Sequence, residues 1–382
     1  MTQIRFDHPT WIPENCTACG DCYTLCPDSA IPGLVNSMSE VFETTIGRIE
    51  KNGRITKHLR RAVRSVEKKL RELIVDEAEE AKVNELLAEA INDTLTETEG
   101  EEKNELATEF DWFEESLGDF KFAITKPYYS NREKRDKNSG GLFSITINPY
   151  TCKGCMECVT VCDDNALFAE RQTNDTVERL RTDWEYWLDL PTTSKEFSRI
   201  DDLDEKIGAL ETLLLDKHNY NSMDCGDGAC LGCGEKTALH IFVGTVTALM
   251  QQRVVGHVNK LEDLIQKLDN HIRVKLAETV NLSDGDAVNQ VVAETEGKDL
   301  TLSRLSAGLD EGTASTPLDR EWLTWAMGLL DQLKDLRWKY VEGITGKGRS
   351  ELGIVNATGC TSVWGATFPY NPYPFPWTSH LF

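Results

Sequence analysis

The chain has 382 residues, enough for two or three domains at roughly 150 residues each, and no apolar run approaches the ~18 residues that a membrane span needs. Acidic residues outnumber basic ones by 64 to 41, for a formal net charge of −23. This excess argues against nucleic acid and anionic membranes as partners, because phosphate binding depends on lysine and arginine. Tight cysteine clusters and the lack of an apolar N-terminal segment predict a cytoplasmic protein whose thiols bind metal in a reducing compartment.

The first cysteine motif lies near the start of the chain. Cys16, Cys19 and Cys22 recur every three residues, and Cys26 follows four residues later, directly before a proline. Three thiolates at this spacing let one loop wrap around three irons of a cube-shaped 4Fe–4S cluster, while the fourth cysteine points toward a second cluster. Gly20 removes a side chain where backbone amides have to approach the cluster sulfides.

A helical insertion is predicted after the first motif, at about residues 37–138. Apolar residues recur there at intervals of three and four, at Leu59, Val63, Val66, Leu70 and Leu73. A second apolar stripe continues from Val83 to Ile91, and charged residues fill the other positions. We expect an amphipathic helix or helical hairpin that packs on the core; the alternative is an arm that docks a partner.

The second cysteine motif repeats the first. Its four cysteines are Cys152, Cys155, Cys158 and Cys162, with Gly154 between the first two. An alternating segment before them, Phe143–Ile147, predicts a strand. In this pattern the fourth cysteine of each motif ligates the other cluster. The first ligand set is therefore Cys16, Cys19, Cys22 and Cys162, and the second is Cys152, Cys155, Cys158 and Cys26. Asp163 stands where proline is usual.

Zinc is the alternative metal for these two motifs. Zinc ribbons combine paired C-x-x-C units into four ligands around one ion. A third cysteine at the same spacing in both motifs is superfluous for tetrahedral zinc. The repeated octet therefore favours two 4Fe–4S clusters.

A third cysteine group lies further along the chain, after a predicted helical linker at residues 176–222. Cys225, Cys230 and Cys233 lie in a glycine-rich run that ends at Glu235. By themselves, Cys230 and Cys233 fit a zinc knuckle, a redox dithiol or half of a cluster site. A second helical insertion is predicted at about residues 250–345, with core-facing apolar residues over 258–276 and 322–336 and a polar, loop-rich stretch at Asn281–Thr316.

Several passages occur together in an order that is typical of one enzyme family. They are Trp11-Ile-Pro-Glu-Asn-Cys16, Trp184-Glu-Tyr-Trp-Leu-Asp-Leu-Pro191, Gly228-Ala-Cys-Leu-Gly-Cys-Gly-Glu235, Asn356-Ala-Thr-Gly-Cys360 and Trp364-Gly365. Outside the two helical insertions, the chain resembles pyruvate:ferredoxin (flavodoxin) oxidoreductases and related 2-oxoacid oxidoreductases. The resemblance implies a third 4Fe–4S cluster held by Cys230, Cys233 and Cys360. It also implies that Glu235 and Cys360 contact thiamine diphosphate, which is bound with Mg²⁺.

The chain departs from the family pattern in two places. No cysteine follows Cys360 to supply the fourth ligand, and Cys225 lies outside the family spacing. The family's thiamine motif is also missing, because Gly226-Asp227-Gly228 lies inside the cysteine loop with no strand pattern before it. We therefore expect a piece of a larger enzyme, either a broken reading frame or one polypeptide of a split complex.

Together, the motifs and the resemblance predict an α+β fold. Residues 1–175 are expected to form a 2[4Fe-4S] ferredoxin-like domain with the helical insertion at about 37–138. The linker at 176–222 leads to residues 223–382, the N-terminal part of an α/β thiamine-diphosphate-binding domain with the insertion at about 250–345.

The leading functional hypothesis is the electron-transfer portion of a 2-oxoacid oxidoreductase. The resemblance implies pyruvate as the first candidate substrate, with indolepyruvate, 2-oxoglutarate and branched-chain 2-oxoacids as alternatives. It further implies coenzyme A as co-substrate, ferredoxin or flavodoxin as acceptor, the missing domains or subunits as partners, a homo-oligomer when complete, and a place in anaerobic metabolism. No catalytic residue is assigned within the chain. The alternative is a stand-alone polyferredoxin-like electron carrier without 2-oxoacid chemistry.

Overall fold

The computed structural model describes residues 5–77, 82–199, 207–223, 226, 228, 230–279, 320–344, 346, 348–357, 359–365 and 375–379. Cys225 and the predicted loop at Asn281–Thr316 lie outside these ranges. The chain divides into two compact units. The larger unit comprises Met1–Ala248 and Leu352–Phe382, and the smaller comprises Leu249–Glu351.

Two small antiparallel sheets bring the two ferredoxin-type motifs together. Strand β1 (Asp7–Trp11), just before the first motif, pairs with β4 (Leu167–Arg171), just after the second. Strand β2 (Gly33–Ser37), after the first motif, pairs with β3 (Gly141–Ile145), before the second. Because each sheet joins the outer or inner flanks of the two motifs, the cysteine loops lie side by side. The short helices α1 (Asp21–Thr24) and α7 (Glu157–Thr160) carry the third cysteine of each loop.

Four longer helices fill the stretch between β2 and β3. They are α2 (Met38–Lys51), α3 (Leu59–Glu77), α4 (Val83–Glu97) and α5 (Glu101–Leu117). A capping box between Ser37 and Glu40 starts α2. The predicted stripe of α3 is buried from Leu59 to Leu70 and packs in one core with apolar residues of α2, α4 and α5. This helical layer is followed by a π-helical turn at Lys126–Ser130 and by α6 (Asn131–Arg135).

Helix α8 (Asn174–Asp189) connects the helical layer to the rest of the larger unit. Tyr186 and Trp187 on this helix are 1% exposed and belong to the same core as α2 to α5. Two short helices follow, α9 (Ala209–Leu213) and α10 (Lys217–Asn221). The Lys217 ammonium donates hydrogen bonds to the carbonyls of Trp187 and Leu190 at the end of α8, where a cation also complements the helix dipole.

Helix α11 (Gly234–Thr279) begins directly after Cys233 in the larger unit and continues into the smaller one. In the larger unit, Val243 of α11 packs with Trp364 of α13 (Thr361–Trp364) and with Trp377. A parallel strand pair completes this part, β5 (Ile354–Asn356) with β6 (Trp377–Ser379). No helix in the described ranges is long and apolar enough to cross a membrane.

In the smaller unit, the later part of α11 packs against α12 (Arg320–Val341) through Ile272, Leu323 and Leu330. The expectation that the whole apolar series faces a core is wrong at three positions. Trp325 is 61% exposed, Leu264 is 41% exposed and Leu336 is 37% exposed. Two helices alone cannot enclose every apolar residue on their surfaces, so part of each series stays at the solvent-facing edge.

Candidate metal centres

The first predicted ligand set lines a single pocket. Its four cysteines come from both motifs: Cys16, Cys19, Cys22 and Cys162. Trp11, Phe143 and Leu167 supply apolar walls to the same pocket. Burial raises the pKa of the Cys16 thiol to about 12 and raises that of Cys22 well above its usual value. Thiolates in this setting need a strong positive charge nearby, which bound iron supplies.

The second predicted set lines a second pocket in the same way. Its members are Cys26, Cys152, Cys155 and Cys158. Burial raises the pKa of Cys152 to about 11 and that of Cys158 to about 12. The Arg5 guanidinium donates hydrogen bonds to the carbonyl oxygens of Pro149 at 2.7 Å and Cys152 at 2.9 Å, which fixes the start of the second cysteine loop. In the structure, the fourth cysteine of each motif therefore lies with the first three of the other.

The two cysteine loops have the same backbone shape. The second residue after the first cysteine has a positive φ in both, at Ala18 (61°) and Gly154 (70°). The fourth residue after it does so again, at Gly20 (91°) and Met156 (65°). Left-handed residues alternating with cysteines turn successive backbone amides toward one side of a loop, an arrangement that suits an anionic cluster.

Backbone donors also meet the fourth cysteine of each motif. The Ala30 amide donates to Cys26 Sγ at 3.2 Å, and the Ala166 amide donates to Cys162 Sγ at the same distance. Hydrogen bonds to ligand sulfurs are one of the means by which proteins set cluster potentials. The matching contacts make the surroundings of the fourth cysteine chemically alike in the two pockets.

The thiols of each predicted set line one pocket, four to a pocket. A 4Fe–4S cube takes one thiolate on each of its four irons, so four thiols around one pocket match its ligand count. Within the described ranges, no group of three or more His, Cys, Asp or Glu side chains lies close enough together to hold a single metal ion, and this applies to all three cysteine groups.

The third cysteine group is more open. Cys230 and Cys360 are exposed, and Cys233 is half-buried. Cys233 lies directly before α11 and Cys360 directly before α13, while Glu235 is an exposed residue of the first turn of α11. The structure does not gather these cysteines into a set that could hold a metal ion. It does connect the two segments, since the Gly226 amide donates to the Trp364 carbonyl at 2.9 Å.

The third group packs against the second pocket through contacts that the sequence did not reveal. Burial raises the pKa of the Cys155 thiol, and backbone donors at Glu157 and, more weakly, at Gly232 oppose that effect. The Lys153 ammonium donates to the Gly228 carbonyl at 3.0 Å. These contacts join Gly228 and Gly232 to the second cysteine loop.

A buried ion pair reinforces this junction. Lys236 of α11 is 1% exposed and donates to the carboxylate of Asp28, which is 8% exposed and lines the second pocket. Lys153 lies 3.8 Å from the same carboxylate oxygen. The sequence signal was present but weak: Lys236 falls at helical spacing with the buried residues His240 and Val243, a position that usually holds an apolar side chain.

His240 lies in the core beside this pair. It is 1% exposed, and its Nδ1 is 3.3 Å from the Ser29 hydroxyl. Burial, and secondarily the charge of Lys236, lowers its pKa to about 3, so the imidazole is neutral at physiological pH. His240 is therefore a neutral core residue that packs beside the Lys236–Asp28 pair.

Comparison with known proteins gives two partial matches. Over 125 residues the chain is 29% identical to a pyruvate-flavodoxin oxidoreductase of Klebsiella pneumoniae, a match that covers 30% of the chain and 10% of that relative. Over 114 residues it is 32% identical to a pyruvate dehydrogenase [NADP(+)] of Cryptosporidium parvum, covering 30% of the chain and 5% of the relative. No family model and no solved structure matches the chain. Both relatives are named as oxidoreductases of pyruvate, and the similarity supports a relationship to the 2-oxoacid oxidoreductase family.

Proposed function

We propose that the chain carries single electrons through two 4Fe–4S clusters as the electron-transfer portion of a 2-oxoacid oxidoreductase. The observation that carries the proposal is the sorting of eight cysteines into two pockets of four, each with ligands from both motifs. The partial similarity to two pyruvate oxidoreductases supports the enzyme class. Pyruvate is the proposed substrate of the complete enzyme, with coenzyme A as co-substrate and ferredoxin or flavodoxin as acceptor.

The chain's own residues bind and shield the clusters. A bound 4Fe–4S cluster takes up and releases one electron at a time. The four thiolates of each set would hold the irons, and the amides of Ala30 and Ala166 donate to the sulfurs of Cys26 and Cys162. Apolar side chains such as Trp11, Phe143 and Ile31 exclude water from the pockets, which is a second influence on potential.

For the third group, the proposal rests on the family resemblance. Cys230, Cys233 and Cys360 are proposed to hold a third cluster, and Glu235 and Cys360 to contact thiamine diphosphate, in the complete enzyme. The exposure of Cys230, Cys360 and Glu235 supports a site that other parts of that enzyme complete. The contacts of Gly228 and Gly232 with the second loop support a position of this site next to the second cluster.

Iron analysis after anaerobic reconstitution tests the proposal. We expect about eight irons and eight acid-labile sulfides per chain, and a paramagnetic signal of interacting reduced clusters, because two cubes carry four irons each. Cys22→Ser and Cys158→Ser should each remove about half of the iron, whereas the matched control Cys360→Ser should leave it unchanged. Stoichiometric zinc with no labile sulfide would refute the proposal.

The crossed ligation gives a sharper version of this test. Cys162→Ser should alter the spectrum of the cluster that Cys22→Ser abolishes, and Cys26→Ser should alter the one that Cys158→Ser abolishes. If each fourth cysteine instead affects the cluster of its own motif, the assignment is wrong.

A further inference from the structure

A small pocket lined by arginines lies in the larger unit and shares no lining residue with the two cysteine pockets. Its volume is about 60 Å³. Its walls come from the π-helical turn at Lys126–Ser130, from α6, from residues 196–199 and from Thr212 of α9. Because one water needs about 10–15 Å³ of such space, the pocket has room for about four to six groups of that size, comparable to the oxygens of one phosphate.

The charged side chains that line this pocket are mostly arginines. They are Arg132 and Arg135 of α6, Arg199, and a single acidic residue, Glu196. Residues three apart on a helix lie on the same face, so α6 presents two guanidinium groups to the pocket. Three positive charges and one negative charge give the lining a formal charge of +2, in a chain whose formal net charge is −23. Like charges around one pocket repel each other, so this lining favours an anion over a neutral molecule or a cation.

The Arg132 side chain is held in a fixed orientation. Its guanidinium lies over the Phe197 ring, 4.4 Å from the ring centroid, and donates to the Glu196 carbonyl at 2.8 Å and to the Glu196 carboxylate at 3.3 Å. Its Nε also donates to the Ser139 carbonyl at 3.4 Å. Phe197 is 4% exposed, so the surface on which the guanidinium stacks belongs to the core. An arginine held in this way loses little conformational freedom when an anion binds.

A guanidinium can bind a ligand in addition to a protein partner. It carries five N–H groups, and Arg132 uses three of them in its bonds to described residues. Arg135 and Arg199 have exposed side chains with the same number of donors in a planar fork. The Glu196 carboxylate accepts from Arg132 and from the Ser194 hydroxyl at 3.2 Å, so the acidic residue of the lining is itself hydrogen-bonded.

We propose that this pocket binds a phosphate group, either as inorganic phosphate or as the phosphate of a small metabolite, through Arg132, Arg135 and Arg199. A phosphate monoester carries a charge of about −1.5 to −2 at pH 7, which matches the charge of the lining. A carboxylate has one charge and two oxygens and would use fewer of the N–H donors. The proposal goes beyond the proposed function and does not depend on the clusters, because no lining residue is a cysteine.

Binding is measured by equilibrium dialysis of the full, cluster-loaded chain against radiolabelled inorganic phosphate at low ionic strength. We expect one phosphate per chain, half-saturated at about 1 mM or below. Sulfate has two charges and four oxygens, so it should compete about as well as phosphate. Acetate should compete at least about tenfold more weakly, because it lacks one charge and two acceptor oxygens. No saturable phosphate binding, or equal competition by acetate, would overturn the proposal.

Substitutions of the exposed arginines identify the binding site. Arg135→Gln and Arg199→Gln should each weaken phosphate binding by about tenfold, because each removes a charged donor pair. Arg135→Lys keeps the charge but not the planar fork, so it should cause a smaller loss of about threefold. Lys134→Gln is the matched control, since this exposed lysine lies on the same helix outside the pocket lining, and its effect should stay within about twofold. If Arg135→Gln weakens binding no more than the control does, the site is wrong.

Two further measurements identify the source of the anion. Glycerol 3-phosphate should bind at least as tightly as inorganic phosphate if the ligand is a phosphorylated metabolite, and more weakly if it is inorganic phosphate. The acidic residues Asp201, Asp202, Asp204 and Glu205 follow Arg199 in the sequence and lie outside the described ranges. If phosphate binds only after these four are replaced by their amides, the arginines serve the chain's own carboxylates and the proposal is overturned. Unchanged binding by that variant supports it.

Discussion

Replacement of Lys236 by methionine would test whether the junction between the third cysteine group and the second pocket depends on one ion pair. Methionine has nearly the same length as the aliphatic part of lysine, so packing is largely kept and the charge is lost. The Lys236 side chain is 1% exposed and that of Asp28 is 8% exposed, so the remaining carboxylate would stay buried.

The loss of stability in Lys236→Met depends on which cations remain near the Asp28 carboxylate. Removing one partner of a buried ion pair costs about 3–5 kcal/mol, because the other charge is left without compensation. Lys153 remains 3.8 Å from the Asp28 carboxylate, which reduces the loss. We expect about 3 kcal/mol, or a melting temperature roughly 6 °C lower for a unit of this size.

The assay is thermal unfolding of the cluster-loaded chain, followed by circular dichroism and by loss of cluster absorbance. Lys51→Met is the matched control: Lys51 is 72% exposed, and its partner Asp189 keeps a second cation, Arg48, at 2.5 Å. The control should lose less than about 0.5 kcal/mol. The double variant Asp28→Asn with Lys236→Met should recover much of the loss, since the buried carboxylate is then no longer charged. A shift for Lys236→Met no larger than that of the control would refute the reasoning.

Three further substitutions probe the helical layer at Glu109, the carboxyl of Asp183 on α8 and the second cysteine loop at Gly154. Glu109→Ala should lower the free energy of unfolding by about 2 kcal/mol in denaturant titrations, because this 4% exposed carboxylate accepts the backbone amides of residues 57–59 at the start of α3. Burial raises the pKa of Asp183 from 3.8 to about 7 in the folded protein. Between these two pH values the folded protein keeps a proton that the unfolded chain releases, so the free energy of unfolding falls as the pH rises from about 4 to about 7. Asp183→Asn should therefore be stabilising by about 1–3 kcal/mol at pH 8 and neutral at pH 4 in melts at the two pH values. Gly154→Ala should lower the melting temperature and slow iron uptake, because its φ is +70° and the new Cβ would clash with the Asp7 carbonyl oxygen.

Local spacing predicts two groups of four cysteines, and in the structure each group lines its own pocket. The cause of that grouping was not visible in the sequence. The strand pairs β1–β4 and β2–β3 join segments of only five residues that lie far apart along the chain, and no periodicity signals such a pairing. The helices between them were easier to predict, because the stripe from Leu59 to Leu70 is long and regular.

The polar residues inside the larger unit were the hardest to predict. Lys236 and Asp183 both occupy core-facing helical positions, yet a charged residue in sequence is normally assigned to the surface. Each is tolerated for a different reason: Lys236 has a buried partner, whereas Asp183 lines a cavity of about 470 Å³. The spacing of such residues can be read from the sequence, but the presence of a buried partner or of a cavity beside them cannot.

The two cysteine pockets have different neighbours, and this difference predicts the order in which electrons would pass through the two proposed clusters. The second pocket touches the third cysteine group through Gly232, so a donor bound at that group would reach the second cluster first. No described residue of that group lines the first pocket. Cys22 of the first set lies close enough to Cys158 of the second for the charge of Cys158 to raise the pKa of Cys22, although burial is the larger cause, so the two pockets lie near each other. An electron that enters at the second cluster should therefore reach an external protein acceptor through the first cluster.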